Sequence, residues 1–127
     1  IIKTKDKIIR KNMHEYSIVA SLLDLCLTHL QEHNAAKVQN IAASVGERSN
    51  IDKSLLQSAF EVLQTEYDSI KDATLTLTTE KILLECKDCK STFHSLDNPA
   101  CPKCNSKNTH ITQGRDIRLE SLSLEAD

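Results

Sequence analysis

Apolar positions recur at helical spacing between His14 and His33. Ile18, Leu22, Leu25 and Cys26 fall on one face, with Val19, Leu23, Leu27 and Leu30 beside it, which is the 3.6-residue period of an amphipathic helix. The pattern predicts a helix over residues 14–33, stopped at Asn34. In VQNIAASV, residues 38–45, the alternation of Ile41, Ala43 and Val45 predicts a strand that Gly46 breaks. The period turns helical again after SNID, residues 49–52, an S-x-x-D capping sequence. Leu55, Leu56, Ala59, Phe60, Leu63 and Tyr67 then predict a second helix to about Tyr67. TLTLT, 74–78, alternates with β-branched Thr and predicts a strand, and ILLE, 82–85, predicts another that runs into the first of a group of cysteines. Beyond that group, THITQ (109–113) and RDIRLESLSLE (115–125) predict two strands with Gly114 as the turn residue between them. Ile117 and Leu119 are two apart, as are Leu122 and Leu124, but the phase changes between the pairs. That change predicts a bulge near Glu120–Ser121.

This order predicts an α+β fold: two helices packed on a small mixed sheet, with a four-cysteine zinc-ribbon module inserted before the last strand returns to the body's sheet. The expected division is a body over 13–82 with 109–127, a cysteine module over 83–108, and an opening segment over 1–12 outside the fold. A chain of 127 residues with two Phe, two Tyr and no Trp must build its core from aliphatic side chains.

Charge separates the opening segment from the rest. Residues 1–12 hold five basic residues against one acid, a net +4, whereas residues 13–127 carry −6. An acidic body argues against a phosphate-binding surface as its main business. The basic segment is expected to be non-native or unstructured, an expression scar or a reading frame translated from too far upstream; the alternative is that it binds an acidic partner. No apolar run approaches the roughly 20 residues of a membrane span, and the start has no apolar stretch of signal-peptide length. A cytoplasmic protein is expected.

The cysteines carry the strongest chemical signal. CKDC, 86–89, and CPKC, 101–104, are separated by eleven residues. Each C-x-x-C turn points two thiolates at one place, and two turns supply the tetrahedral four-sulfur set that suits zinc. Cys86, Cys89, Cys101 and Cys104 are therefore the expected zinc ligands. Four protein ligands leave no open position for water, so the zinc is expected to be structural. Lys87, Lys90 and Lys103 offset its negative charge, and Asn105 suits the left-handed turn that follows a knuckle. His94 and His110 lie close by in sequence, as alternative ligands or as surface histidines. Cys26, on the apolar face of the first helix, reads as a core residue. His29 and His33, four apart, read as a solvated helix end, with a metal pair as the alternative. Asp52 reads as a capping carboxylate. His14-Glu15 means little out of context.

Context comes from resemblance. MHEYSIVASLLDLC (13–26), VGERSNID (45–52) and the paired C-x-x-C knuckles resemble the HypA/HybF family of nickel metallochaperones, especially its Helicobacter-like members, in matching order from Met13 to the end. The resemblance implies Ni(II) as a transferred cargo, bound at the Met13-His14-Glu15 start through the imidazole, the terminal amine and the first backbone amides, with Asp52 assisting. It implies a structural Zn(II) on the four cysteines and no catalysed reaction. Asn105 stands where some members carry a histidine, which leaves His94 as the substitute for sensing. The implied partners are a nickel-handling accessory GTPase, the hydrogenase large-subunit precursor and a urease nickel chaperone, with neither nucleic acid nor membrane involved, and a monomer or weak homodimer is expected. The family start places the expected first residue at Met13; with residues 1–12 attached, Met13 has no free amine and the nickel site loses a ligand. Two other classes compete. A zinc ribbon that binds nucleic acid or joins a transcription complex is permitted by the knuckles alone. A metalloenzyme would need an open metal position and a base such as Glu15 or Glu47, which the spacing does not support.

Overall fold

The computed structural model describes residues 1–8, 14–95 and 100–126. In chain order the elements are β1 (Ile2–Lys7), α1 (Glu15–Glu32), β2 (Ala35–Gly46), α2 (Lys53–Leu63) running into a 3₁₀ turn at Gln64–Glu66, β3 (Thr74–Glu80), β4 (Leu83–Cys86), β5 (Thr92–Phe93), β6 (Thr109–Gln113) and β7 (Ile117–Ala126). They form two sheets, a body sheet ordered β1-β7-β2-β3 and a small sheet ordered β5-β4-β6. The body sheet is mixed, as expected: β2 and β3 are parallel, while β7 runs antiparallel to both β2 and β1. No helix among the described residues is long and apolar enough to cross a membrane.

The helix faces follow the apolar period. Ile18, Val19, Leu22, Leu23, Cys26 and Leu30 of α1 are buried, and Leu25 and Leu27 are packed beside them. Leu56, Ala59 and Phe60 of α2 join them over Ile41, Ala43 and Val45 of β2 and Ile117, Leu119 and Leu122 of β7. The capping frame of α2 differs from expectation by three residues. Asp52 is the N-cap, accepting from the Ser54 and Leu55 amides at 2.8 and 3.2 Å, whereas the Ser49 hydroxyl donates back to the Gly46 carbonyl at 2.7 Å. Asn50, at φ 60°, turns the chain between the two residues and so leaves Asp52 to start the helix. The phase change in β7 is a bulge. Ser121 pairs with Ala42 and Leu119 with Ala43, so Glu120 is the extra residue, and its carboxylate accepts from the Ser44 hydroxyl at 2.9 Å.

Two expectations are corrected. The opening segment, read as unstructured, supplies strand β1, which adds to the sheet through β7. Ile2, Thr4 and Asp6 are half-buried while Lys3, Lys5 and Lys7 point outward, and Ile8 is buried in the core with its amide donating to the Ile117 carbonyl at 2.9 Å. Alternation of this kind makes an edge strand, and lysines on the outer face are a usual protection for one. Secondly, β6 does not join the body. It pairs with β4, so the small sheet spans 83–113 and the chain returns to the body at Gly114. There is no β6–β7 hairpin. Gly114, at φ +94°, is the crossing point instead: a Cβ there would lie 2.5 Å from Ile82 Cα, and one on Gly46 would lie 2.4 Å from the Gly114 carbonyl. Three backbones meet where only hydrogen atoms fit.

Candidate metal centre

Both cysteine knuckles have one local geometry. In the first, the Cys86 amide donates to the Ser91 carbonyl and the Lys90 amide to the Cys86 carbonyl, each at 2.9 Å. In the second, the Cys101 amide donates to the Ser106 carbonyl at 2.9 Å and the Asn105 amide to the Cys101 carbonyl at 2.8 Å. Lys90 and Asn105 occupy equivalent left-handed positions, φ 65° and 61°. The sequence makes Asn105 recognisable there; Lys90 is recognisable only by aligning one knuckle on the other. Asp88 ties the pair together by accepting from the Ser106 hydroxyl and from Asn108 Nδ2. These two hydrogen bonds hold its carboxyl below the usual range.

The four Sγ atoms lie within 4.8 Å of one another. Cys86 and Cys104 are 3.5 Å apart, and Cys89 and Cys101 3.6 Å. A tetrahedral ion with metal–sulfur bonds of about 2.3 Å sets its sulfurs about 3.8 Å apart, so the four cysteines fit a metal ion. Cys86 and Cys101 are buried, and Cys89 and Cys104 are exposed. The Ser91 hydroxyl and amide pull the Cys89 thiol down to about 6. The Ser106 amide acts the same way on Cys104, but the hydrogen bonds of the neighbouring cysteines and desolvation outweigh it and push that thiol up to about 12. Four thiols in one place do not ionise independently, and a cation displaces their remaining protons.

The histidines near the module have other roles. Nδ1–H of His94 donates to the Ile82 carbonyl at 2.7 Å, joining the module to the crossing point, while the same side chain lines a shallow hollow with Cys101. His110 faces Glu85 across the β4–β6 pair at 3.7 Å. Neither is part of the sulfur cluster. Glu47, weighed as a base, accepts from the Ile82 amide, a further bond at the crossing.

Of the other expected site residues, Met13 lies outside the described residues. His14 is the N-cap of α1, extended and exposed, and its side chain makes no capping bond. Glu15 opens the helix. Asp52 uses Oδ1 for both α2 amides. These residues stand outside the two groups whose donor atoms converge among the described residues, which are the four cysteines and the set His29, Glu32 and His33.

Fold and site together define a small α+β protein, a two-helix body bearing a pair of cysteine knuckles whose four sulfurs fit a metal ion. A family model described as hydrogenase/urease nickel incorporation, metallochaperone, hypA matches residues 13–124. The chain belongs to the HypA family. It is 48% identical over 117 residues to the hydrogenase/urease maturation factor HypA of Helicobacter pylori, covering 91% of this chain and 100% of that one. It is 41% identical over 115 residues to the hydrogenase maturation factor HypA of Helicobacter hepaticus, covering 89% and 98%. The solution structure of the Ni metallochaperone HypA from Helicobacter pylori superposes with a TM-score of 0.74 at 48% identity, covering 91% of this chain and 100% of that chain.

Proposed function

We propose that this protein carries Ni(II) as cargo, taking it at the Met13-His14-Glu15 start with Asp52 assisting and handing it on during maturation of nickel-iron hydrogenase, with urease as a second client. The observation that carries this reading is the family match, which begins at Met13 itself. The local structure supports it: the His14 ring is exposed and takes no part in capping, and Asp52 commits Oδ1 to its helix, which leaves Oδ2 for a metal. Imidazole and backbone nitrogens are the donors that Ni(II) prefers. Protons compete for the same nitrogens, so acid releases the cargo.

Zn(II) is the ion proposed for the four cysteines, in a structural role because its four ligands leave no open position. The protein works in the cytoplasm, where thiols stay reduced, and catalyses no reaction of its own. Its proposed partners are a nickel-handling accessory GTPase, the hydrogenase large-subunit precursor and a urease nickel chaperone.

Calorimetric nickel titration of the zinc-loaded chain tests this. The intact chain binds nickel, and His14→Ala loses at least about tenfold in affinity, the scale of one good ligand interaction. Comparison with a chain that starts at Met13 then isolates the contribution of the free amine. Unchanged nickel binding by His14→Ala would remove the amino-terminal site from consideration.

A further inference from the structure

The last turn of α1 holds a second group of donors, distinct from both sites above. His29, Glu32 and His33 each bring one ligand atom within 4.8 Å of the other two. The i, i+3 and i, i+4 spacings put all three on one face of the helix. What sequence spacing alone does not reveal is the fourth participant. Asp6, on the inward face of β1, has Oδ2 2.9 Å from His29 Nε2. A carboxylate only accepts, so Nε2 carries the proton and donates it. The other ring nitrogen, Nδ1, is buried without a hydrogen-bond partner and lies 3.7 Å from Glu32 Oε2. His33 shows the complementary arrangement: its Nδ1–H donates to the His29 carbonyl at 2.9 Å, so Nε2 keeps the lone pair.

We propose that His29 Nδ1, the Glu32 carboxylate and His33 Nε2 form a binding site for a late first-row divalent cation, with Asp6 as the positioning residue for His29. A histidine that ligates a metal nearly always donates its other N–H to a carboxylate or carbonyl, which fixes the tautomer and orients the ring. Here both histidines are held in that way before any metal arrives. Two imidazoles and a carboxylate are the donor set of such ions. Bonds of about 2.1 Å bring ligand atoms to within about 4 Å of one another, and Glu32 is exposed, so its carboxylate can close the remaining distance. The site lies at the carboxyl end of α1, where the unpaired carbonyls favour a cation. Asp6 belongs to the segment that precedes the family match, so β1 adds the positioning carboxylate to three ligands that lie within the matched region. The site stands independently of the nickel reading at His14.

Nickel(II) is the probe, added to the full-length, zinc-loaded chain while the imidazole signals are followed by long-range proton–nitrogen NMR. A helical rise of about 1.5 Å per residue separates His29 from His14 by about 22 Å, so paramagnetic broadening reports the two places separately. The expected result is broadening of His29 and His33 in addition to any effect at His14. His33→Ala removes an exposed ligand and abolishes the effect at His29. Asp6→Asn keeps the shape but weakens the acceptor, and lowers affinity at this site by about ten- to a hundredfold without moving the His14 response. Silence of His29 and His33 under excess nickel would overturn the proposal and leave Asp6–His29–Glu32 a structural ion-pair network. An unchanged affinity in His33→Ala would also overturn it, whatever happens at His14.

Discussion

Cys26 is fully buried in the core, and desolvation pushes its thiol from 9.0 up to about 12. In the unfolded chain the same thiol ionises near its ordinary value, so the folded state holds the proton more tightly. The associated stability is complete below pH 9 and is lost as pH rises towards about 12, at up to about 1.4 kcal/mol per pH unit. Cys26→Ala should therefore flatten the alkaline fall in stability while costing about 1 kcal/mol at neutral pH through lost apolar volume. Urea unfolding of the metal-loaded wild type and variant across the alkaline range measures this. Parallel slopes for the two proteins would show that the thiol does not couple to folding. The residues of the knuckles obey another logic. Cys89 and Cys104 are exposed, and their environment is set chiefly by Ser91 and Ser106 and by the neighbouring Cys86 and Cys101 rather than by burial in the core.

At the scale of elements, the junction of α2 with β3 depends on one polar side chain. Gln64 is buried at the start of the 3₁₀ turn, and its Nε2 reaches the carbonyls of Ile70, Lys71 and Ala73, each at 3.1 Å. An irregular segment that turns through the core edge has no ladder to satisfy its carbonyls, and this amide substitutes for one. Replacement by Leu, similar in volume, takes this donor from all three carbonyls, of which Ile70 keeps the Ala73 amide at 2.9 Å, and should destabilise by about 1–3 kcal/mol; Glu, which sets a carboxylate against carbonyl oxygens, should cost more. Thermal unfolding of the two variants ranks them, and equal stability would mean that water replaces the amide without loss. Nothing in the sequence distinguishes Gln64 from an exposed glutamine near a helix end, because its value lies in where the chain goes afterwards. Both helices, β2 and β3 were legible, since each repeats a period along its own length, and the Glu120 bulge was legible as a break in such a period. So was β1 in principle. Ile2, Thr4, Asp6 and Ile8 alternate with lysines, but the net charge of the segment was a louder signal than its period. The two-residue β5 and the transfer of β6 to the small sheet were not legible, because pairing partners far apart in sequence decide them. At the site, C-x-x-C spacing exposed all four sulfurs. Asp6 beside His29 is a contact across 23 positions that no local pattern encodes.

At the scale of the molecule, the two sheets are sustained by different means. The body has one continuous apolar cluster from Ile8 to Leu122, and Ile82, Leu84, Cys86 and Cys101 stand outside it. Three short strands with so few buried apolar side chains among the described residues do not hold together alone; a metal ion held by the four cysteines would supply what packing lacks. The connection between the parts is polar and backbone-made. The Arg48 amide donates to the Gly114 carbonyl at 2.8 Å, the Gly46 amide to the Asp116 carbonyl at 2.9 Å, and the Gly114 amide to Glu80 Oε1 at 3.0 Å. These bonds belong mostly to the ends of β2, β3 and β7, which the body orders by itself. Removal of the metal with a strong chelator should then collapse the dispersed amide NMR signals of 83–113 while those of α1, α2 and the body sheet persist. Readdition of zinc should restore them, because the crossing at Gly46, Ile82 and Gly114 still brings the two module ends together. If the body signals collapsed together with those of the module, the molecule would be a single cooperative unit and the metal a keystone of the whole fold. If the module signals survived chelation, its short strands would have to carry a stability that their buried surface does not provide.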